Sequence, residues 1–232
     1  MNILEIIEKD KNVNEKSIII PQKINIDEHF EIIKKIALYL QPKYIFTEEI
    51  SRILRTLLLY FSGQKEDAND KNNPYAKLMS LNKGILLVGG VGVGKSLIFD
   101  IFKIYTTQVL KNNGFQCHSA HSIIDILNIE GKVYYNLFKE NRLDENTIKP
   151  ITCYIDDIAS KNEIVKHFGT EYNAIQELIS IRYEVFVRHK KLTHLSTNIF
   201  PKQLKEIYGS RIIDRMREMF NIIELKGESF RQ

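Results

Sequence analysis

Gly89-Gly90-Val91-Gly92-Val93-Gly94-Lys95-Ser96 separates the apolar run Gly84-Ile85-Leu86-Leu87-Val88 from a long helix-like stretch over residues 95–112. The octapeptide fits G-x-x-x-x-G-K-[ST], a motif that carries its meaning only in this setting, after a strand and before a helix. Four of the chain's 11 glycines fall within it. A loop that wraps a phosphate must turn its backbone N–H groups inward, and side chains there would block the anion. The helix that follows adds the positive end of its dipole. The expected ligands are therefore ATP and Mg²⁺. Gly89, Gly90, Val91, Gly92, Val93 and Gly94 would surround the phosphates, with Leu97 just beyond them in the first helical turn. Lys95 would meet the β- and γ-phosphates, and the Ser96 hydroxyl would enter the metal shell.

Outward from this loop, short apolar runs alternate with longer helical ones. The runs at 84–88, 115–119, 151–155, 192–197 and 222–226 read as strands; those at 95–112, 121–140, 171–190 and 201–219 read as helices. Strand and helix alternating without hairpin turns predict an α/β fold of three layers, a central parallel sheet covered by helices on both faces, with right-handed crossovers. No internal repeat interrupts the pattern.

Upstream, residues 28–40 place Phe30, Ile33, Ile36, Ala37 and Leu40 on one helical face, and residues 47–61 do the same with Ile50, Ile53, Leu54, Leu57 and Leu58. Ser17-Ile18-Ile19-Ile20 before Pro21 reads as a short strand. The expected organisation is a short, helical N-terminal extension over 1–45, which either packs on its own domain or docks a partner. A nucleotide-binding domain follows over 46–232, made of a helical lead-in at 46–62, a polar loop at 63–78 and the core at 79–232.

Composition narrows the function classes. A chain of 232 residues, 44% hydrophobic and 27% charged, can bury one full core, and a net charge of +4 excludes binding to nucleic acid by bulk charge. No stretch approaches the ~20 apolar residues of a membrane span, so a soluble, cytoplasmic protein without a membrane partner is expected. Cys117 and Cys153 lie in strand-like runs without metal-ligand spacing and read as reduced core residues. His118 and His121 have no third ligand nearby in sequence and read as core or capping residues.

Cys153-Tyr154-Ile155-Asp156-Asp157 is an apolar strand that ends in two carboxylates. At the C-terminal end of a parallel strand these side chains would open onto the phosphate crevice. Asp156 would hold Mg²⁺ through water, and Asp157 would act as general base on the attacking water. The following strand ends in Ser196-Thr197-Asn198, whose amide would reach the γ-phosphate or orient the water.

This combination of phosphate loop, paired acids and strand-tip Asn resembles the AAA+ ATPases, in which Asn198 would be the residue called sensor 1. The likeness sharpens at Tyr208-Gly209-Ser210-Arg211-Ile212-Ile213-Asp214-Arg215-Met216-Arg217 and at Gly227-Glu228-Ser229-Phe230-Arg231. These two runs are similar to the C-terminal signature of the DnaC-type helicase loaders and the IstB-type transposition helpers, a likeness that covers residues 80 to 232. The resemblance implies that Arg215 is an arginine finger that completes the site of a neighbouring subunit. Arg211, one turn earlier, would share or take over that task, and Arg231 would act in cis as sensor 2. It also implies a domain without a C-terminal helical lid.

The function expected from the resemblance is an ATPase of DNA replication that loads a replicative helicase, with ATP sites at the interfaces of a homo-oligomer and contact to single-stranded or duplex DNA. The alternatives are a helper ATPase with a transposase partner on duplex DNA and, in another class, a small-molecule kinase. Arg182, Tyr183 and the run Arg188-His189-Lys190-Lys191 supply a local basic feature, either for DNA phosphates or as cations placed at a helix C-terminus.

Overall fold

In the computed structural model, which describes residues 23–64, 79–112, 114–139, 142–144, 147–148, 152–160 and 162–226, the strands are β1 (Gly84–Gly89), β2 (Gln116–Ser119), β3 (Arg142–Asp144), β4 (Thr147–Ile148), β5 (Cys153–Ile158), β6 (Ile164–His167), β7 (Thr170–Asn173), β8 (Thr193–Thr197) and β9 (Phe220–Leu225). The helices are α1 (Ile26–Leu40), α2 (Glu48–Ser62), α3 (Lys95–Ile104), α4 (Ala120–Glu130), α5 (Asn136–Lys139), α6 (Ala174–His189) and α7 (Pro201–Met219). Five strands form one sheet in the order β2-β5-β8-β1-β9, every pairing parallel. Every residue of β1 is buried, as in a strand covered on both faces.

Side chains alternate between the two faces and separate two cores. Ile85 and Leu87 join α1, α2 and α3 on one face. Leu86 and Val88 join α4, α6 and α7 on the other. The three-layer parallel architecture expected from the sequence is thus the one observed. The expected strand at 17–20 and the loop between 65 and 78 lie outside the described residues.

The apolar face of α1 is packed into this domain. Ile33 and Ala37 are fully buried in the same cluster as Phe99 and Phe102 of α3, and His29 Nδ1 lies 2.8 Å from the Tyr105 hydroxyl. Asn25 caps α1 and Thr47 caps α2, each accepting from backbone N–H groups in the first turn. The stretch expected as one helix over 95–112 is α-helical to Ile104 and then widens into a π turn over Tyr105–Val109, where Thr106 Oγ1 donates back to Phe102 O at 2.7 Å.

Two features depart from the expectation. The stretch between the acids and α6 contains a hairpin, β6 paired antiparallel with β7 around Phe168 and Gly169. Both turn residues have positive φ, 47° and 78°, the geometry that a two-residue turn between twisted strands requires. A second antiparallel pair joins β3 and β4. The helix expected over 121–140 breaks at Gly131, whose φ is 66°. A Cβ there would stand 2.4 Å from His167 Cε1, so the hairpin can lie against α4 only where a glycine interrupts it.

His194 sits 1% exposed on β8 among the rings of Tyr60, Phe61, Phe99 and Phe115. Its Nδ1 accepts the Ile85 N–H at 3.1 Å, which ties β8 to β1 through a side chain. Burial first, and the charge of Arg182 second, lower its pKa to about 3, so the ring is neutral in the fold. The unfolded chain takes up this proton near its ordinary value of about 6.5, so the contribution of neutral His194 is complete above that pH and is lost as pH falls towards 3. Urea unfolding at pH 7, 6, 5 and 4 should give a steeper loss of stability in the wild type than in His194→Gln, by up to about 1.4 kcal/mol per pH unit.

Candidate functional site

The loop that leaves β1 turns back on itself through Gly92 (φ 81°) and Gly94 (φ 92°), and Gly94 is the residue that precedes α3. Both backbone conformations are open to glycine and costly for other residues. Lys95 is 7% exposed, and its Nζ donates to Gly89 O at 2.8 Å and Gly90 O at 2.7 Å. The ammonium is thereby folded over the loop, while the Ser96 side chain stands exposed at the start of α3.

Two successive carboxylates cannot face the same side of a regular strand, because side chains alternate. The pairing of β5 with β8 resolves this. Ile155 pairs with Leu195, yet Ile158 pairs with Thr197, so β5 carries one extra residue at Asp156-Asp157. The bulge is built on a φ of 60° at Asp157 and is closed by the Asp157 N–H donating to Ser196 Oγ at 2.9 Å. Both carboxylates therefore line the same cavity.

Asp156 is held from behind. Tyr154 Oη donates to Asp156 Oδ1 at 2.5 Å, Ser196 Oγ donates to the same oxygen, and the two hydroxyls lie 3.0 Å apart. Burial, followed by the charge of Asp156, pushes the Tyr154 phenol far above its ordinary pKa, so it remains a donor. One carboxylate oxygen is thus committed, and the other is left for an ion or its water. Asp100 on α3 has its carboxyl pushed up by burial and then by Asp156, with Lys103 acting in the opposite direction.

The cavity measures about 940 Å³ and is lined by the loop from Val91 to Gly94, by Lys95, Ser96 and Leu97, by Asp156 and Asp157, and by Asn198. Because β8 lies between β1 and β5, Asn198 just past its end stands between the phosphate loop and the acids. Its Oδ1 is buried without a hydrogen-bond partner among the described residues, an acceptor aimed at something the chain itself does not supply. The far wall comes from Gln41, Lys43, Tyr44, Ile45 and Thr47, with Leu225 at the end of β9 and Lys226 just after it.

That wall was not legible as part of the site, since the segment before Thr47 reads as the end of an N-terminal extension. Its one local signal is Tyr44-Ile45-Phe46 ahead of a helix cap, an apolar cluster larger than capping requires; Tyr44 is 6% exposed and its ring meets Phe46 edge-on at 5.0 Å. Three lysines and a helix N-terminus against two carboxylates suit a polyanion with a bound cation. Among the described residues no three His, Cys, Asp or Glu side chains converge. A divalent ion held by Ser96 and Asp156 would therefore take its other ligands from phosphate oxygens and water, as Mg²⁺ does.

The arginines stand elsewhere. Neither Arg211 nor Arg215 lines the cavity. Arg211 is exposed, and Arg215 lies over the Tyr183 ring, its guanidinium carbon 4.9 Å from the centroid. Arg217 pairs with Asp214 at 2.9 Å. Arg231 lies outside the described residues. Arg182 cannot serve DNA: it is 1% exposed and donates to Thr193 Oγ1, Phe138 O and Leu192 O, locking α6 to β8 and α5. Arg188 and His189 occupy the last turn of α6, where cations oppose the negative end of the dipole.

A phosphate loop after a central parallel strand, with an acidic pair two strands away and a polar strand tip between them, is laid out on a three-layer P-loop fold. Solved structures share that fold. DnaI aligns over 83% of this chain and 89% of its own, with 15% identity and a TM-score of 0.52. A protein described as a primosome component from Streptococcus pyogenes serotype M3 aligns over 81% and 85%, with 15% identity and a TM-score of 0.50. The DnaC helicase loader aligns over 81% and 96%, with 19% identity and a TM-score of 0.49. At these identities the likeness is one of fold. No protein-family model matches the chain, and no curated protein matches it by sequence.

Ser196→Ala would leave the Asp157 N–H without its acceptor and Asp156 with a single donor. A loss of about 1–3 kcal/mol in denaturant unfolding is expected. Titration with a fluorescent ATP analogue should show that nucleotide binding falls less than hydrolysis does, because the loop that grips the phosphates is untouched.

Proposed function

We propose that this protein is a Mg²⁺-dependent ATPase of DNA replication that acts as a loader of a replicative helicase, its ATP sites completed between copies of the chain. The observation that carries the reading is the division of the parts. The phosphate loop, both acids and Asn198 share one cavity, while Arg211 and Arg215 stand outside it on α7. An arginine that does not reach its own chain's phosphates can serve those of a neighbour, and a guanidinium keeps its charge and meets phosphate oxygens in pairs.

In this reading Lys95 leaves the Gly89 and Gly90 carbonyls for the β- and γ-phosphates, and the N–H groups of the loop surround the remaining oxygens. Ser96 and Asp156 hold Mg²⁺, which when bound neutralises charge on the phosphates. Asp157 takes the proton of the attacking water, and Asn198 orients that water towards the γ-phosphate. Arg215 of the neighbouring copy stabilises the charge that develops on the transferred group, with Arg211 one turn away as its support; Arg231 contributes in cis. Hydrolysis of ATP to ADP and phosphate removes what Arg215 holds, so the interface loosens.

The family of structures that shares the fold supports a role in replication, and partner choice falls to surfaces outside the core. The buried face of α1 is not available for docking. The exposed side of α1, with Leu38 and Tyr39, is left for that task.

ATPase assays test the reading directly. Specific activity should rise with protein concentration, and Lys95→Ala should abolish nucleotide binding. Arg215→Ala should bind nucleotide normally and lose about 10³-fold or more in turnover. Mixing inactive Lys95→Ala and Arg215→Ala chains should restore hydrolysis, since one supplies the arginine and the other the intact site. Activity independent of concentration, together with phosphate transfer to an added small acceptor, would instead indicate a kinase. Capture of a purified replicative helicase by the full chain, and failure to capture a transposase, would select the loader from the transposition helper.

A further inference from the structure

Glu163 is a charged residue that the nucleotide chemistry does not use, yet it is only 4% exposed. Its Oε1 accepts the Ala159 N–H at 2.7 Å and the Tyr208 hydroxyl at 3.0 Å, and its own carbonyl accepts the Ala174 N–H at 2.8 Å at the start of α6. Burial raises its pKa, with the Ala159 N–H, Tyr208 and the Asn173 side chain acting against that rise.

The two Oε1 donors belong to different machinery. Ala159 ends the turn that begins at Asp157, and both residues have positive φ, 60° and 61°. This turn faces the cavity through Asp157, and Thr197 Oγ1, next to Asn198, donates to the Ile158 carbonyl at 2.8 Å within it. It is a short, strained segment in contact with the place where a γ-phosphate would lie. Tyr208 is the last residue before Gly209, where φ 77° and ψ 165° break α7 into two helices. A Cβ at Gly209 would meet nothing within 4 Å, so glycine is needed there for its backbone freedom alone. The second helix carries Arg211 and Arg215.

We propose that Glu163 is a positioning residue that couples the acidic turn of one copy's nucleotide site to the arginine-bearing half of α7. This deepens the reading above and rests on its assignment of the cavity to ATP. One carboxylate oxygen holds both the turn and the hinge, so a shift of the turn when a γ-phosphate arrives is passed to Tyr208, and from there across Gly209 to Arg215. Each copy's nucleotide state thereby sets the arginine that it offers to the next.

The chain has no tryptophan, so Tyr183→Trp places a single probe under the Arg215 guanidinium. In this background, Mg²⁺ with a slowly hydrolysed ATP analogue should shift the emission. Tyr208→Phe, which keeps the ring in its buried seat and removes one hydroxyl, should abolish most of the shift while the affinity for the analogue is unchanged. Glu163→Ala should do the same. Glu163→Gln, whose amide oxygen can accept both bonds, should retain the shift. A merely structural Glu163 would change the melting temperature in these variants and leave the nucleotide response at residue 183 intact, and that result would overturn the proposal. So would a Tyr183→Trp protein that binds the analogue without any change in emission. A Tyr183→Trp protein that fails to bind the analogue at all would bring down the nucleotide reading of the cavity, and this coupling with it.

Discussion

The parallel pairing of β8 with β1 on one side and β5 on the other is the constraint on which the site depends. It fixes the distance between the phosphate loop and the acids at two strand spacings, roughly 10 Å. It also puts the tip of β8 between them, where Asn198 faces the cavity. The extra residue in β5 opposite Ser196 converts a strand that would show one acid to the site into one that shows two. Ser196 is fully buried and serves both functions at once, closing the bulge through the Asp157 N–H and holding Asp156. A sheet in which β5 paired directly with β1 would have no place for this arrangement.

Apart from Ser196 and Thr197 at its tip, what holds β8 in that position is largely apolar, with two polar contributors nearer its start. His194 reaches across to the Ile85 backbone from within a ring of aromatics, and Arg182 donates to Thr193 and Leu192 at the start of the strand and to Phe138 in α5. A buried guanidinium is costly unless its donors are met. The donors to Thr193, Phe138 and Leu192 meet that demand and tie β8 to α5 and α6. The same positive charge helps to keep His194 neutral. The arginine whose sequence left open a contact with DNA phosphates or with a helix C-terminus is a structural pin.

Much of the fold was legible because its signals are local and periodic. Gly89 to Ser96, the apolar strands and the amphipathic faces of α1 and α2 follow from residue spacing alone. The departures share a different cause: each depends on a contact distant in sequence. Gly131 ends α4 at a positive φ, and His167 from the distant hairpin fills the space that a Cβ there would need. The Phe168-Gly169 turn escaped detection because phenylalanine seldom adopts positive φ, so it does not mark a turn in the way Asn-Gly would. The bulge at Asp156-Asp157 cannot be seen without its partner strand. Likewise, the segment from Gln41 to Thr47 became a wall of the site only because α1 packs on α3 and returns the chain to the edge of the cavity. A boundary drawn at residue 45 therefore separates, on paper, residues that line one cavity.

The place of the arginines follows from the same topology. α7 leads from the end of β8 to the start of β9, which lie at opposite ends of the sheet, so the helix must travel the length of the domain on the face away from α3. Its first residues leave the site at Asn198, and its last turn is at the far edge. A helix rises about 1.5 Å for each residue, so the seven residues from Pro201 to Tyr208 carry the chain roughly 10 Å from the cavity before the break at Gly209 re-aims it. Beyond that break neither Arg211 nor Arg215 lines the cavity. On the proposed coupling the break at Gly209 has a purpose, since a rigid rod would fix the arginine relative to the sheet, whereas a rod divided at a glycine and held at Tyr208 would let the distal half take its bearing from the turn at Asp157.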